Sequence, residues 1–225
     1  MLPWELIDRV TTPDGGQVIS LYRRGTEFSI RVGNEQLMDS FVHGSEDALA
    51  ELACGPVSKR PKARVLIGGL GMGYTAAAAL KQLRADAEVV VAELFPAVVT
   101  WNRGPLAALA NHPLNDRRIT VREQDVADIL RREPGGFDAI MLDVDNGPDA
   151  LTQDGNGWLY ASAGLKAAYA ALRPKGIHAV WSAYPSRRFT HSLRQVGFRV
   201  EEVDARSRGT RGGSHHTIWI AQRGA

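Results

Sequence analysis

A chain of 225 residues that is 44% hydrophobic and 23% charged has the make-up of a globular protein with a full core, and no apolar run in it approaches the length of a membrane span. Lys plus Arg number 27 against 25 Asp plus Glu, so a net charge of +2 gives no pull toward nucleic acid or an anionic membrane. Cys54 is the single cysteine, which excludes an intrachain disulfide and a thiolate metal cluster built by one chain; with no leader-like segment near Met1, the expected location is the cytoplasm.

In chain order, "QVISLYRR" and "TEFSIRV" alternate apolar and polar residues as half-buried strands do. Gly33-Asn34 supplies the positive-φ turn that folds the second stretch onto "EQLM". A helix is predicted from Ser45, with Glu46 and Asp47 in the first turn where the macrodipole favours acids, and a Gly55-Pro56 stop. These elements define a small N-terminal β-domain with a linking helix over residues 1–58, and "VSKRPKAR" leads into a main domain over 59–225.

From Arg64 the pattern becomes strand, helix, strand. Nearly continuous apolar runs at "RVLIGG", "EVVVAE", "RITV", "FDAIMLDV", "GIHAVWSA" and "FRVEEV" suit strands covered on both faces. Helical segments lie between them, among them "YTAAAALKQL", "VADILRR" and "GLKAAYAALRP". This is an α/β chain with a doubly wound, Rossmann-like sheet, and ligands are expected at the carboxyl ends of its strands. A seventh run, "HHTIWIAQ", follows the sixth through "ARSRGTRGGS" with no room for a helix, so the last strand is predicted to be antiparallel to its neighbour.

The turn "GGLGMG" places Gly68, Gly69, Gly71 and Gly73 between the first of these strands and its helix, where backbone can approach a ligand with no Cβ in the way. Tight packing explains such turns as often as ligand binding does. Three companions favour a ligand. Glu93 closes the next strand at the place where an acid accepts ribose hydroxyls. Gln124 and Asp125 follow the third strand, where they suit an adenine amino group, although Asp125 is equally a helix N-cap. Asp143, Asp145, Asn146 and Asp149 crowd the end of the fourth strand, more polar groups than the Asn146-Gly147-Pro148 turn needs. No G-K-[ST] follows the glycines, and the spacing is not G-x-G-x-x-G, so a nucleoside without phosphates fits better than a nucleotide triphosphate or NAD. His215-His216 are adjacent on a strand and face opposite sides, which argues against a metal site. Trp158 and Tyr160 are the lid candidates, Trp181 is read as core or cleft wall, and the arginines of "ARSRGTRGGS" as a solvated loop.

The order GGLGMG, VVVAELFP, QDV, FDAIMLDVDNGPDALT and LYASAGLKAAYAALRPKGIHAVWS resembles the class I S-adenosylmethionine-dependent methyltransferase fold and, within it, the spermidine synthase-like family. The resemblance implies that Gly68, Gly69, Gly71 and Gly73 line the methionine-like part of S-adenosylmethionine or its decarboxylated form, that Glu93 holds the ribose, and that Asp125 faces adenine. It puts Asp143 at the reacting centre, with Asp145 and Asn146 beside it as catalytic candidates and His43 and Glu46 loosely in the place of the family's N-terminal roof. Two departures bear on chemistry. Spermidine synthases carry an acid inside the glycine turn, where this chain has Gly71, and a D-[ST]-[ST]-D-P run that is shortened here to D-V-D-N-G-P. An uncharged turn suits the carboxylate of intact S-adenosylmethionine, so methyl transfer to a small-molecule amine or hydroxyl is the expected reaction. Aminopropyl transfer from the decarboxylated donor is the alternative, and a non-catalytic nucleoside-binding homologue the second. Neither transfer calls for a metal. The resemblance and the exposed edge of the small sheet suggest a homodimer.

Overall fold

The computed structural model describes residues 2–11, 18–33, 35–144, 147–148 and 157–225. The N-terminal sheet has four antiparallel strands in the order β1 (Glu5–Thr11), β2 (Val18–Arg24), β3 (Glu27–Val32) and β4 (Glu35–Asp39). The first of these strands is not expected from its sequence. The stretch lacks an apolar-polar period, because Leu6, Ile7 and Val10 are all exposed and a bulge interrupts the register between Leu6 and Asp8.

Helix α1 (Gly44–Cys54) starts one residue before the expected Ser45, and no side chain caps it. The Ser45 hydroxyl donates instead to Glu46 Oε2 at 2.6 Å. The main body then runs β5 (Arg64–Gly68), α2 (Tyr74–Gln82), β6 (Glu88–Ala92), α3 (Pro96–Arg103), β7 (Ile119–Arg122), α4 (Val126–Arg132) and β8 (Phe137–Leu142). After the acidic loop come α5 (Gly157–Tyr160), α6 (Ser162–Ala171), β9 (Leu172–Ser182), α7 (Arg187–Val196), β10 (Arg199–Arg206) and β11 (His215–Gln222). Helix α6 ends before Leu172, so "LRPKG", read as helix end and turn, opens strand β9.

The seven strands of the main sheet are ordered β10-β11-β9-β8-β5-β6-β7. Strand β11 is antiparallel, as expected, and lies inside the sheet, paired with β10 on one side and β9 on the other. The strand order reverses between β5 and β8, which pair in parallel, and a doubly wound sheet opens a crevice beyond the carboxyl ends of the strands at such a point.

Alternation along the central strands feeds two apolar layers. Val65, Ile67, Val89, Val91 and Met141 face one, and Leu66, Val90, Ile140 and Leu142 face the other, all of them buried. The first layer continues into the small sheet through Ile19, Leu21, Phe28 and Ile30, so a shared core holds the N-terminal sheet over this face. Two polar ties reinforce it: Trp101 Nε1 donates to Asp8 Oδ2 at 2.7 Å, and the Tyr74 hydroxyl donates to the Ser40 carbonyl at 3.0 Å.

Candidate active site

A cleft lies between the N-terminal sheet and the carboxyl ends of the central strands. Its floor is the glycine turn. Gly69 has φ +89°, and a Cβ there would lie 2.3 Å from the Asp143 carbonyl oxygen, so only glycine lets β5 and β8 end this close together. Gly71 has φ +51° and faces the sulfur of Met38, which would sit 3.1 Å from a Cβ at that position. The two outer glycines have packing reasons of their own: an added Cβ would meet Val126 and Leu142 at Gly68, and Asn102 and Pro113 at Gly73. From behind, Asn102 Nδ2 donates to the Gly71 carbonyl at 2.8 Å and to the Val98 carbonyl at 2.9 Å.

Glu93 is buried at the end of β6 and lines the cleft. Its Oε2 accepts from Leu70 N at 2.9 Å and its Oε1 from Phe95 N at 2.8 Å. One backbone N–H on each oxygen fixes the carboxylate and leaves each a further lone pair for a ligand hydroxyl. Burial raises its proton affinity, and the backbone donors oppose that. Gln124, Asp125 and Val126 form the wall after β7. Both readings of Asp125 meet in one residue: it lines the cleft, and its Oδ1 accepts from Ala127 N at 2.8 Å as the N-cap of α4.

Asp143 sits at the end of β8, its own N–H donating to the Gly68 carbonyl at 2.9 Å. The Thr75 hydroxyl, in the first turn of α2, donates to Asp143 Oδ2 at 2.7 Å. Burial raises the Asp143 proton affinity, and this hydrogen bond pulls the other way. Glu46 enters the same cleft from α1 and is 8% exposed. Burial, then the neighbouring Asp143 carboxyl, pushes it up to about 8. Its charge also contributes, after burial, to raising the Tyr74 phenol to about 12. Ile19, Ile30, Val32 and Met38 roof the cleft from the small sheet, and Trp181, at the end of β9, lines it beside Val144.

Of the residues predicted from sequence, Gly69, Gly71, Glu93, Gln124, Asp125 and Asp143 come together around one cleft, with Gly68 and Gly73 directly behind its floor. Asp145, Asn146 and Asp149 lie outside the described residues. His43 stands away from the cleft, stacked on Tyr74 with ring centroids 4.1 Å apart and bonded to Asp47. The lid candidates are also displaced: Trp158 lies under the Arg131 guanidinium, and Tyr160 is buried edge-on to Phe189 in the opposite layer. The loop "ARSRGTRGGS", read as solvated, is tied down through Ser207, which is buried and pairs with Ser214. Thr75, Met38 and Asn102 gave no signal in sequence, since each acts through a fold contact with a partner distant in the chain.

No family model matches the chain, and no curated protein matches it by sequence. Solved structures do match by shape. The spermidine synthase from Thermotoga maritima superposes with a TM-score of 0.76 at 18% identity, covering 97% of this chain and 73% of that one. A spermidine synthase in complex with the transition state analogue AdoDATO gives 0.75 at 18%, covering 97% and 72%. A probable spermidine synthase from Corynebacterium glutamicum gives 0.63 at 15%, covering 97% and 79%. The chain has the spermidine synthase fold. Within it, the floor, the Glu93 wall and the roof enclose a space whose donors and acceptors suit a nucleoside: a fixed carboxylate for the sugar, apolar Leu94 and Val126 for the base, and backbone without Cβ atoms beneath.

Proposed function

We propose that the protein is a transferase that moves an aminopropyl group from decarboxylated S-adenosylmethionine to a small amine. The observation that carries this reading is Asp143, bonded to Thr75 and set beside the glycine turn in a roofed cleft of the spermidine synthase fold. Asp143 and Glu93 line one cleft, which is what a sulfonium nucleoside with its ribose on Glu93 and its side chain toward Asp143 requires. The spermidine synthase solved with AdoDATO lends support.

The bound sulfonium supplies a carbon activated for in-line displacement, so no covalent enzyme intermediate is called for. The residues of the chain supply position. Glu93 holds the sugar, Gly69 and Gly71 let the side chain lie against backbone, and the apolar roof excludes water. As the acceptor nitrogen bonds to carbon and the carbon–sulfur pair returns to sulfur, the nitrogen loses a proton. Asp143 takes it directly or through one water, and the Thr75 hydroxyl steadies the ionised carboxylate that must be present beforehand.

Methyl transfer is the second reading, favoured by Gly71: no acid stands in the turn, and Met38 fills the space where one would reach. The released nucleoside tells the two apart. With decarboxylated donor and a panel of small mono- and diamines, chromatography is expected to show methylthioadenosine. S-adenosylhomocysteine from the intact donor would replace the main reading by the second, and binding of either donor without turnover would make the chain a nucleoside-binding protein. The Asp143→Asn variant is expected to lose turnover by about 100-fold or more while still binding methylthioadenosine; wild-type turnover in it would remove Asp143 from proton transfer.

A further inference from the structure

Among the described residues that line the cleft, Glu46 is a charged group that neither the nucleoside contacts nor the proton transfer uses. Of the cleft carboxyls, Glu93 is held by two backbone donors and Asp125 caps α4, whereas Glu46 accepts from the adjacent Ser45 hydroxyl. It is placed with care. Gly44, two residues earlier, donates from its N–H to the Ser207 carbonyl at 2.7 Å, and a Cβ on it would lie 2.3 Å from Gly209 N. The hairpin loop between β10 and β11 therefore grips the start of α1, and the helix projects Glu46 toward the end of β8. There it lines the same cleft as Asp143, whose Oδ2 accepts from the Thr75 hydroxyl.

Two carboxyls on one wet face would stay ionised and separate. These two sit in a cleft roofed by Ile19, Ile30 and Met38, where one negative charge raises the cost of the other, so the empty pair retains a proton at neutral pH. An ammonium group replaces that proton and satisfies both oxygens, whereas a ligand carboxylate at the same point would add a third negative charge. We infer that Glu46 is the donor-specificity residue, which together with Asp143 receives the ammonium of a decarboxylated sulfonium nucleoside and rejects the carboxylate of the intact one. In this arrangement the N-terminal helix supplies the charge that the glycine turn, with Gly71, lacks. The inference rests on the proposed transferase reading, because it assumes that a sulfonium nucleoside occupies the cleft.

Calorimetric titration of the full chain with methylthioadenosine, decarboxylated S-adenosylmethionine and S-adenosylmethionine tests both and separates them. Wild-type protein is expected to prefer the decarboxylated form over the intact one by on the order of 10-fold or more. Glu46→Gln, which mimics the protonated side chain in shape, is expected to abolish most of that preference and leave methylthioadenosine binding unchanged. A second readout needs no variant. Titrations in buffers of different ionisation enthalpy are expected to show proton release when the decarboxylated donor binds to wild-type protein at pH 7, and none with methylthioadenosine. The described groups facing Glu46 are Asp143, Asp47, Ser45 and Tyr74; the Asp143 and Asp47 charges raise its proton affinity, and the Ser45 hydrogen bond lowers it. An unchanged preference in Glu46→Gln, or no proton release, with methylthioadenosine still bound, would overturn the role of Glu46 and leave the nucleoside cleft standing. Failure of all three nucleosides to bind would overturn the transferase reading itself.

Discussion

At the scale of single residues, the cleft is a place where charge is expensive. Glu46, Glu93 and Asp143 all have raised proton affinity, with burial the leading cause in each. The sign of the consequence for stability is set by Glu46. Its folded pKa, about 8, lies above the ordinary carboxyl value of 4.5, so the folded state keeps a proton that the unfolded state has released. Stability from this group is full below pH 4.5 and is lost as pH rises toward 8; the raised Asp143 acts in the same direction. Glu46→Gln removes the titration. The variant and the wild type are therefore expected to unfold in urea at similar concentrations at pH 5. At pH 8 the variant is expected to be more stable by roughly 1–3 kcal/mol, since each tenfold change in proton affinity corresponds to about 1.4 kcal/mol. Parallel curves at both pH values would mean that Glu46 is ionised in the folded protein throughout.

At the scale of elements, the strand–turn–helix unit of β5 and α2 is the part most legible in sequence. "VLIGGLGMGYTAAAAL" reads directly as an apolar strand, a glycine floor and a helix, and the positive φ of Gly69, Gly71 and Gly73 is what such a turn needs. What supports the turn is illegible. The Asn102 brace comes from α3, and the carbonyl packed against Gly69 belongs to Asp143 at the end of β8. A glycine in an open turn and one in this floor look alike in sequence and differ in cost. Gly33→Ala, with φ +56° and nothing within 4 Å of the added Cβ, is expected to cost about 1 kcal/mol. Gly69→Ala adds a collision with backbone to the same φ strain and is expected to cost about 3 kcal/mol or more, with loss of methylthioadenosine binding. Equal costs in denaturant titrations would show that β8 yields at its end. The lid candidates failed for a related reason: Trp158 and Tyr160 follow the acidic loop closely in sequence, but α5 turns them into the layer on the far side of the sheet.

At the scale of the whole molecule, the strand–helix alternation and the antiparallel last strand were readable because each is local. The cleft was only half readable, because one half comes from residues that precede the main body. Nothing in "FVHGSEDAL" marks Glu46 as facing Asp143; the juxtaposition exists because α1 packs on α2 and β9 of the main body and the β10–β11 loop holds its first residue, Gly44. The core that the small sheet shares with the main body holds the roof against the floor, which has a consequence for ligand binding. A ligand stabilises only against openings that destroy its site, by RT ln(1 + [L]/Kd), or about 2.7 kcal/mol at 100 times Kd. Peeling the small sheet away removes the Ile19, Ile30 and Met38 roof while Glu46 stays with α1 on the main body, so saturating methylthioadenosine is expected to slow hydrogen exchange in β2 and β3 by roughly 10- to 100-fold. Amides of the edge strand β10 that exchange by local fraying are expected to be unaffected and serve as the internal reference. Protection confined to the glycine turn and the end of β8 would mean that the nucleoside is held by the floor alone, and that the N-terminal sheet opens and closes over it at no cost in binding.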